Sequence, residues 1–246
     1  MPGFLKNHPF AVEAWFESST VLTYAVPIEQ LEHRIPACLQ LDTYDEKWGF
    51  LAVAMVQTRH LRPKGFPRWL GNDFFLIGYR IFVRYVDTRG KRLRGLYILK
   101  SQTDKKKMER LGSIFTQYRY ETIDIQQLQN DAQLEIRSQS ANFQIVLDTA
   151  SNNPPLPTGS PFPDWKTARR YAGPLPFTFT YQPDSQEVLI IQGLRKNWNP
   201  SPIKVVAHQV GFLDELKLSN PVLANAFVIK DIPYSWKKGR TESWKP

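Results

Sequence analysis

Arg80 is the residue in this chain whose type and position most invite chemistry. It lies in FFLIGYRIFVRY, Phe74 to Tyr85, whose alternation predicts a strand. One face would carry Phe75, Ile77, Tyr79, Ile81, Val83 and Tyr85, and the other Phe74, Leu76, Gly78, Arg80, Phe82 and Arg84. A guanidinium on so apolar a face must pair with a carboxylate or look into a cavity, because burying it alone is costly. In a cavity it is a bidentate anchor for a carboxylate or phosphate. Arg84 lies nearer the following turn, DTRGKR, and is expected to be solvated.

Lysines offer a second chemistry. Lys100 ends the return strand Leu93 to Lys100, on a face shared with Leu96 and Ile98, and Lys105, Lys106 and Lys107 open the next segment. A desolvated lysine beside other cations has a depressed pKa and can attack a carbonyl to form a Schiff base. Cations at a helix N-terminus oppose the macrodipole, a hint that they serve a site. A solvated face is the plainer alternative.

The segment 59–73, RHLRPKGFPRWLGND, holds two prolines and two glycines and predicts a loop long enough to act as a lid. Arg59 and His60 would close the rim over an anionic ligand. Basic and aromatic residues together also occur where nucleic acid binds, but no nucleic-acid module surrounds them here.

Other chemistries lack their signatures. There is no phosphate-cradling glycine loop, no GxSxG elbow, no HExxH and no CxxC, so neither a metal nor a cofactor is expected. His8, His33, His60 and His208 are far apart. Cys38 is the only cysteine, which excludes an internal disulfide; it reads as a small buried hydrophobe. The opening MPGFLKNHPFAVEAWF has no basic-then-apolar leader pattern and no run is long enough to cross a membrane, so a cytoplasmic protein is expected. The formal charge of +9 concentrates between Arg84 and Arg110, a patch that would attract anions, acidic membrane or nucleic acid if it were not simply a solvated face.

Positioning these residues falls mainly to strands. Aromatics at 13% and many β-branched residues favour a mainly β, α+β fold, and 246 residues fit one domain, 1–246. VLTYAV reads as a strand, PIEQLEHRI as a short amphipathic helix stopped by Pro36, and Trp48 to Gln57 as a buried strand. Thr103 or Asp104 would cap a helix with the stripe Met108, Leu111, Phe115 and Tyr118. YRYETIDI, AQLEIRS and ANFQIVLDT read as a meander, and 150–163, with five prolines, as a loop. Trp165 to Tyr171 reads as a helical turn, and LPFTFTY, EVLIIQGL and IKVVAHQVGFLDEL as strands. VLANAFVIKDIPYSW suits strand or helix.

TVLTYAVPIEQLEHRIPACLQLDTYDEKWGFLAVAMV, with GYRIFVRY, ILKSQTDKKKMERLGSIFTQYRY and QVGFLDELKLSNPVLANAFVIKDIPYSW, resembles the acetoacetate decarboxylase-like superfamily, in its branch of bacterial domains of unknown function. The resemblance covers nearly the whole chain and is weakest over 150–163. It implies a mainly antiparallel, cone-like β-barrel with a few short helices and a central cavity. Against the decarboxylases' lysine motif, Lys105 takes the Schiff-base position and Lys106 the neighbour that lowers its pKa, with Asp104 where they have proline. Ala25 stands for their first-strand arginine and Leu51 for their second-strand glutamate; Asp73 could supply a carboxylate instead. Loss of both argues against acetoacetate decarboxylation itself. The expectation is a barrel binding a small anionic or carbonyl-bearing ligand at Arg80, without cofactor, nucleic acid or membrane, and with a homo-oligomer possible. The alternatives are a Schiff-base lyase using Lys105 or Lys100, and a basic interaction protein.

Overall fold

The computed structural model describes residues 6–118, 120–196 and 198–244. The first five residues of the opening segment, and Arg119 of the expected strand YRYETIDI, lie outside that set. Strands β1 (Val12–Pro27), β2 (Gln40–Leu41), β3 (Trp48–Pro63), β4 (Asn72–Val86), β5 (Arg92–Thr103) and β6 (Tyr120–Thr122) belong to a main sheet. Strands β7 (Gln126–Gln129), β8 (Gln133–Ser138) and β9 (Phe143–Asp148) start a second one. The chain returns to the main sheet with β10 (Phe177–Gln182), β11 (Glu187–Arg195) and β12 (Ser201–Pro202), gives β13 (Lys204–Val210) to the second, and ends on β14 (Val222–Trp236) and β15 (Arg240–Ser243). Helices α1 (Lys106–Phe115), α2 (Trp165–Ala172) and α3 (Gly211–Glu215) lie between them.

The main sheet runs β12-β14-β1-β3-β4-β5-β10-β11-β15, and β11 also pairs with β14, so seven of its strands close into a ring. The sheet is mixed rather than purely antiparallel, because β10 and β6 both run parallel to β5. β6 reaches β5 by way of α1, and β10 by way of the three strands β7–β9 and α2, and such crossovers deliver parallel neighbours.

The long strands serve two environments. On β4, Phe75, Ile77 and Tyr79 pack with Ile136, Ile145 and Leu147 of the second sheet, while Ile81, Val83 and Tyr85 pack with Leu31, Leu39 and Leu41. The alternating residues face the opposite way. At that face Phe162 of the proline-rich stretch stacks on Phe50, and Ala168 and Ala172 of α2 join the same cluster. Asp164 caps α2 by accepting the Thr167 amide at 2.7 Å.

Local chemistry explains where elements differ from expectation. PIEQLEHRI forms two 3₁₀ turns, Ile28–Gln30 and Glu32–Arg34, because Pro36 holds Ile35 extended and leaves no room for an α-helical ladder. Its apolar stripe still packs as spaced, with Leu31 fully buried. Neither Thr103 nor Asp104 caps α1: its N-cap is Lys105, without a side-chain bond, and the Asp104 carboxylate instead accepts the Phe75 amide of β4 at 2.8 Å. The expected loop 59–73 shrinks to the connection between Pro63 and Asn72, because β3 and β4 continue pairing to Leu61 and Asn72. The end of IKVVAHQVGFLDEL is helical, as α3, and VLANAFVIKDIPYSW is a strand, its ladder completed by β1.

Candidate functional site

A pocket of about 380 Å³ lies against the face of the main sheet that carries Arg80. Its floor is made of small residues. Ala52 pairs with Arg80 and Ala54 with Gly78 across β3 and β4, and Ser101 pairs with Gly78 from β5. Larger side chains there would fill the space. The walls are mostly apolar, with Val56, Phe74, Leu76, Phe82 and Ile98 from the strands, and Met108, Leu111 and Phe115 of α1 across from them. The helical stripe therefore closes a pocket instead of filling a solid core.

The Arg80 guanidinium lies back along its own strand. A Cβ on Gly78 would stand 3.0 Å from both Nε and Nη2, so glycine is what lets the group lie flat there. Protein surrounds Arg80, yet part of its surface remains accessible, and the residue lines the pocket. Among the described residues nothing accepts a hydrogen bond from it and no carboxylate pairs with it; Nε is buried without a partner. Desolvation pushes its pKa below the ordinary value, the direction expected of a cation deprived of water and of a counter-charge. Arginine remains protonated nonetheless.

Three phenols, Tyr234, Tyr120 and Tyr118, lie near enough to interact with that charge, and all line the pocket. Burial pushes each upward, Tyr120 to about 12, so each keeps its proton and can donate. Two are again seated by glycine. A Cβ on Gly112 would overlap the Tyr120 ring, and one on Gly193 would overlap the Tyr234 hydroxyl.

Other cations on the lining are already engaged. Arg62 pairs with Glu13 at 2.7 Å. Arg195 donates to the Pro174 and Leu175 carbonyls and stacks 4.4 Å from the Trp198 ring centroid. Among the described residues, no Asp, Glu or Lys side chain lines the pocket. Arg80 is therefore the cation left without a partner.

The residues singled out for chemistry separate into those the pocket receives and those it does not. Arg80 is on the wall. Lys105 is more than half exposed, with Nζ 3.3 Å from Asp104, and Lys106 sits beside it at the start of α1; neither lines the pocket. Lys100 does not share a face with Leu96 and Ile98. A β-bulge pairs Tyr79 with Lys100 but Arg80 with Ile98, so Leu99 is an extra residue and the alternation reverses. Ser101 takes the pocket side, and Lys100 turns to Glu121 (3.1 Å), Glu215 (3.8 Å) and the Phe212 ring.

A second bulge acts on Arg59, His60 and Asp73. Thr58 pairs with Phe74 and Leu61 with Asn72, leaving two residues of β3 opposite Asp73 alone. Thr58 and Leu61 both line the pocket, whereas Arg59 and His60 do not. The structure brings the three together outside it: Asp73 accepts the His60 amide at 2.7 Å and Arg59 at 3.3 Å, and Glu17 takes Arg59 at 2.6 Å. Arg62, three residues on, is the basic residue that reaches the lining.

The phenols carry no distinguishing signal in the sequence. Tyr118 belonged to the helical stripe, while Tyr120 and Tyr234 looked like ordinary strand aromatics. Nor does the sequence mark out Asp42, 1% exposed, which binds both Arg84 and Arg94 at 2.6 Å and so offsets one charge of the apparent basic patch while holding two of its side chains. Leu51 faces the second sheet in its main apolar cluster, so no carboxylate at that position would reach the pocket; its neighbour Ala52 does. Ala25 is fully buried beside Phe50 and Phe162. Among the described residues no cluster of three or more His, Cys, Asp or Glu could hold a metal ion, and no helix is long and apolar enough to cross a membrane.

A long-stranded mixed sheet with a small second sheet and few helices is the architecture of the acetoacetate decarboxylases. The acetoacetate decarboxylase of Legionella pneumophila subsp. pneumophila str. Philadelphia 1 superposes with a TM-score of 0.60 at 11% identity, covering 99% of this chain and 96% of that one. The enduracididine biosynthesis enzyme MppR, solved with pyruvate, gives 0.58 at 8% identity, covering 95% and 90%. Within that fold the chain belongs to the DUF2071 family, described as an uncharacterized conserved protein, which it matches over residues 14–231. No curated protein matches it.

Proposed function

We propose that this chain binds a small organic anion without covalent attachment, with Arg80 as the anchor. The ring of strands is read as a single cone-like barrel domain and the pocket as its interior. One observation carries the reading: a largely enclosed guanidinium, its Nε buried and without an acceptor among the described residues, stands on the wall of a pocket whose described lining has no carboxylate. Such a charge is costly unless something arrives to compensate it, and an anion does so with charge-assisted hydrogen bonds. Protonated phenols around it add donors, which also suits an anion.

A Schiff-base enzyme is the second reading, favoured by the shared fold, in which MppR takes pyruvate. The placement of the lysines speaks for binding instead. Lys105, Lys106 and Lys100 lie outside the lining, and Lys105 and Lys100 contact carboxylates. Borohydride added with pyruvate or acetoacetate should leave the protein's mass unchanged; an adduct mapped to Lys105 or Lys100 would restore the enzyme. For the binding reading, a panel of carboxylates and phosphates is screened by thermal melting on wild type and Arg80→Met. Carboxylates should raise the melting temperature of the wild type alone. Equal shifts in both proteins would remove Arg80 as the anchor.

A further inference from the structure

Resting on the reading of an anion at Arg80, we infer that the ligand is a monocarboxylate with a sizeable apolar body, of the medium-chain fatty-acid kind, rather than a small keto acid or a dianion. The lining already satisfies most of its own cations. Arg62 has Glu13, and the Arg195 guanidinium donates to two carbonyls and lies on the Trp198 ring, which leaves Arg80, among the described residues, as the lining cation with no acceptor of its own, one anchor for one anionic group. A second carboxylate would lie against Val56, Phe74, Leu76 or Met108, side chains that offer it no hydrogen bond. An amine would meet the Arg80 charge with no acidic side chain among the described lining residues to receive it.

Size gives the rest. About 380 Å³ corresponds to roughly a dozen water-sized groups. A keto acid of three or four carbons would occupy the Arg80 end and leave most of the apolar wall uncovered. A chain the length of octanoate would cover it, and burial of its methylenes supplies the affinity. The small residues on β3 mark the path: Ala52 and Ala54 follow one another on the pocket face, opposite Arg80 and Gly78. Neither carries bulk that would stop an alkyl chain.

The test is calorimetric titration of the full chain with octanoate, acetoacetate, suberate, octylamine and octanol, repeated on Arg80→Met and Ala54→Leu. Octanoate should bind about tenfold or more tighter than each of the others. Arg80→Met should lose octanoate selectively. Ala54→Leu should weaken octanoate about tenfold more than it weakens acetoacetate, and because it keeps Arg80 it tests the apolar path separately. Acetoacetate or suberate binding as tightly as octanoate would overturn the inference while leaving an anion at Arg80 intact. Octanoate held equally by wild type and Ala54→Leu would overturn the assigned path. No binding of any carboxylate to wild type would bring down the underlying reading.

Discussion

Arg80 depends on residues that have almost no side chain. Gly78 gives its guanidinium a place to lie, Gly112 seats Tyr120, and Gly193 seats Tyr234. Adding one methyl at 112 or 193 forces an aromatic ring out of position, and overpacking of that kind costs about 1–3 kcal/mol. Gly112→Ala and Gly193→Ala should each lower stability by that order in urea unfolding and also weaken carboxylate binding. Arg80→Met should do the opposite to stability. It removes a charge that the unliganded protein leaves uncompensated, and should stabilise by about 1–2 kcal/mol, the low end for a removed buried charge because the pocket admits solvent. A destabilised Arg80→Met would mean that the arginine has a structural partner after all. Asp42 is the contrasting case. It is buried between two arginines whose side chains are each 36% exposed, so Asp42→Asn should cost about 2 kcal/mol, less than for a fully buried pair.

Strands decide which residues meet, and bulges decide which do not. The alternation of β4 was legible from the sequence because its two faces are both strongly apolar and period two survives through Arg80. The stripe of α1 was legible for the same reason at helical spacing. The bulges at Leu99 and at Arg59–His60 were not, because each depends on how many residues the partner strand places opposite. Those insertions turned Lys100 away from the pocket after a simple alternation had aimed it there, and fixed Arg59 and His60, expected on a lid loop over the rim, outside it. The carboxylates that hold them are equally distant in sequence, as Glu17 and Glu215 show.

The attachment of the second sheet carries a pH dependence. His208 of β13 meets the buried Tyr24 hydroxyl of β1 at 3.0 Å. Burial keeps that phenol protonated and lowers His208, so a neutral Nδ1 accepts from it. Burial lowers His8 as well. For both, the unfolded chain takes up a proton first as the pH falls below the ordinary value of 6.5, so their stabilisation is complete above it and lost as pH falls through the lowered folded values. The melting temperature should therefore drop between neutral pH and about pH 5, and His208→Gln should flatten part of that drop.

At the scale of the molecule, the charge of +9 is largely a surface property that does not describe the pocket. Part of the basic run between Arg84 and Arg110 is neutralised locally by Asp42, Glu121 and Asp104. Elsewhere the charge borders a neighbouring pocket. A second pocket of about 280 Å³ shares Gly173, Pro174 and Phe227 with the first and is edged by Lys166 and Arg169 of α2. Converting both to Gln should slow carboxylate association and reduce its dependence on salt, with little change in the dissociation rate. Ligand recognition in this molecule turns on one guanidinium. Its most direct test is the ¹⁵N-detected Nε–H signal of Arg80, identified by its absence from Arg80→Met and followed while octanoate is added. A saturable shift of that signal is the predicted result. A signal that stays fixed while the protein binds octanoate elsewhere would contradict it.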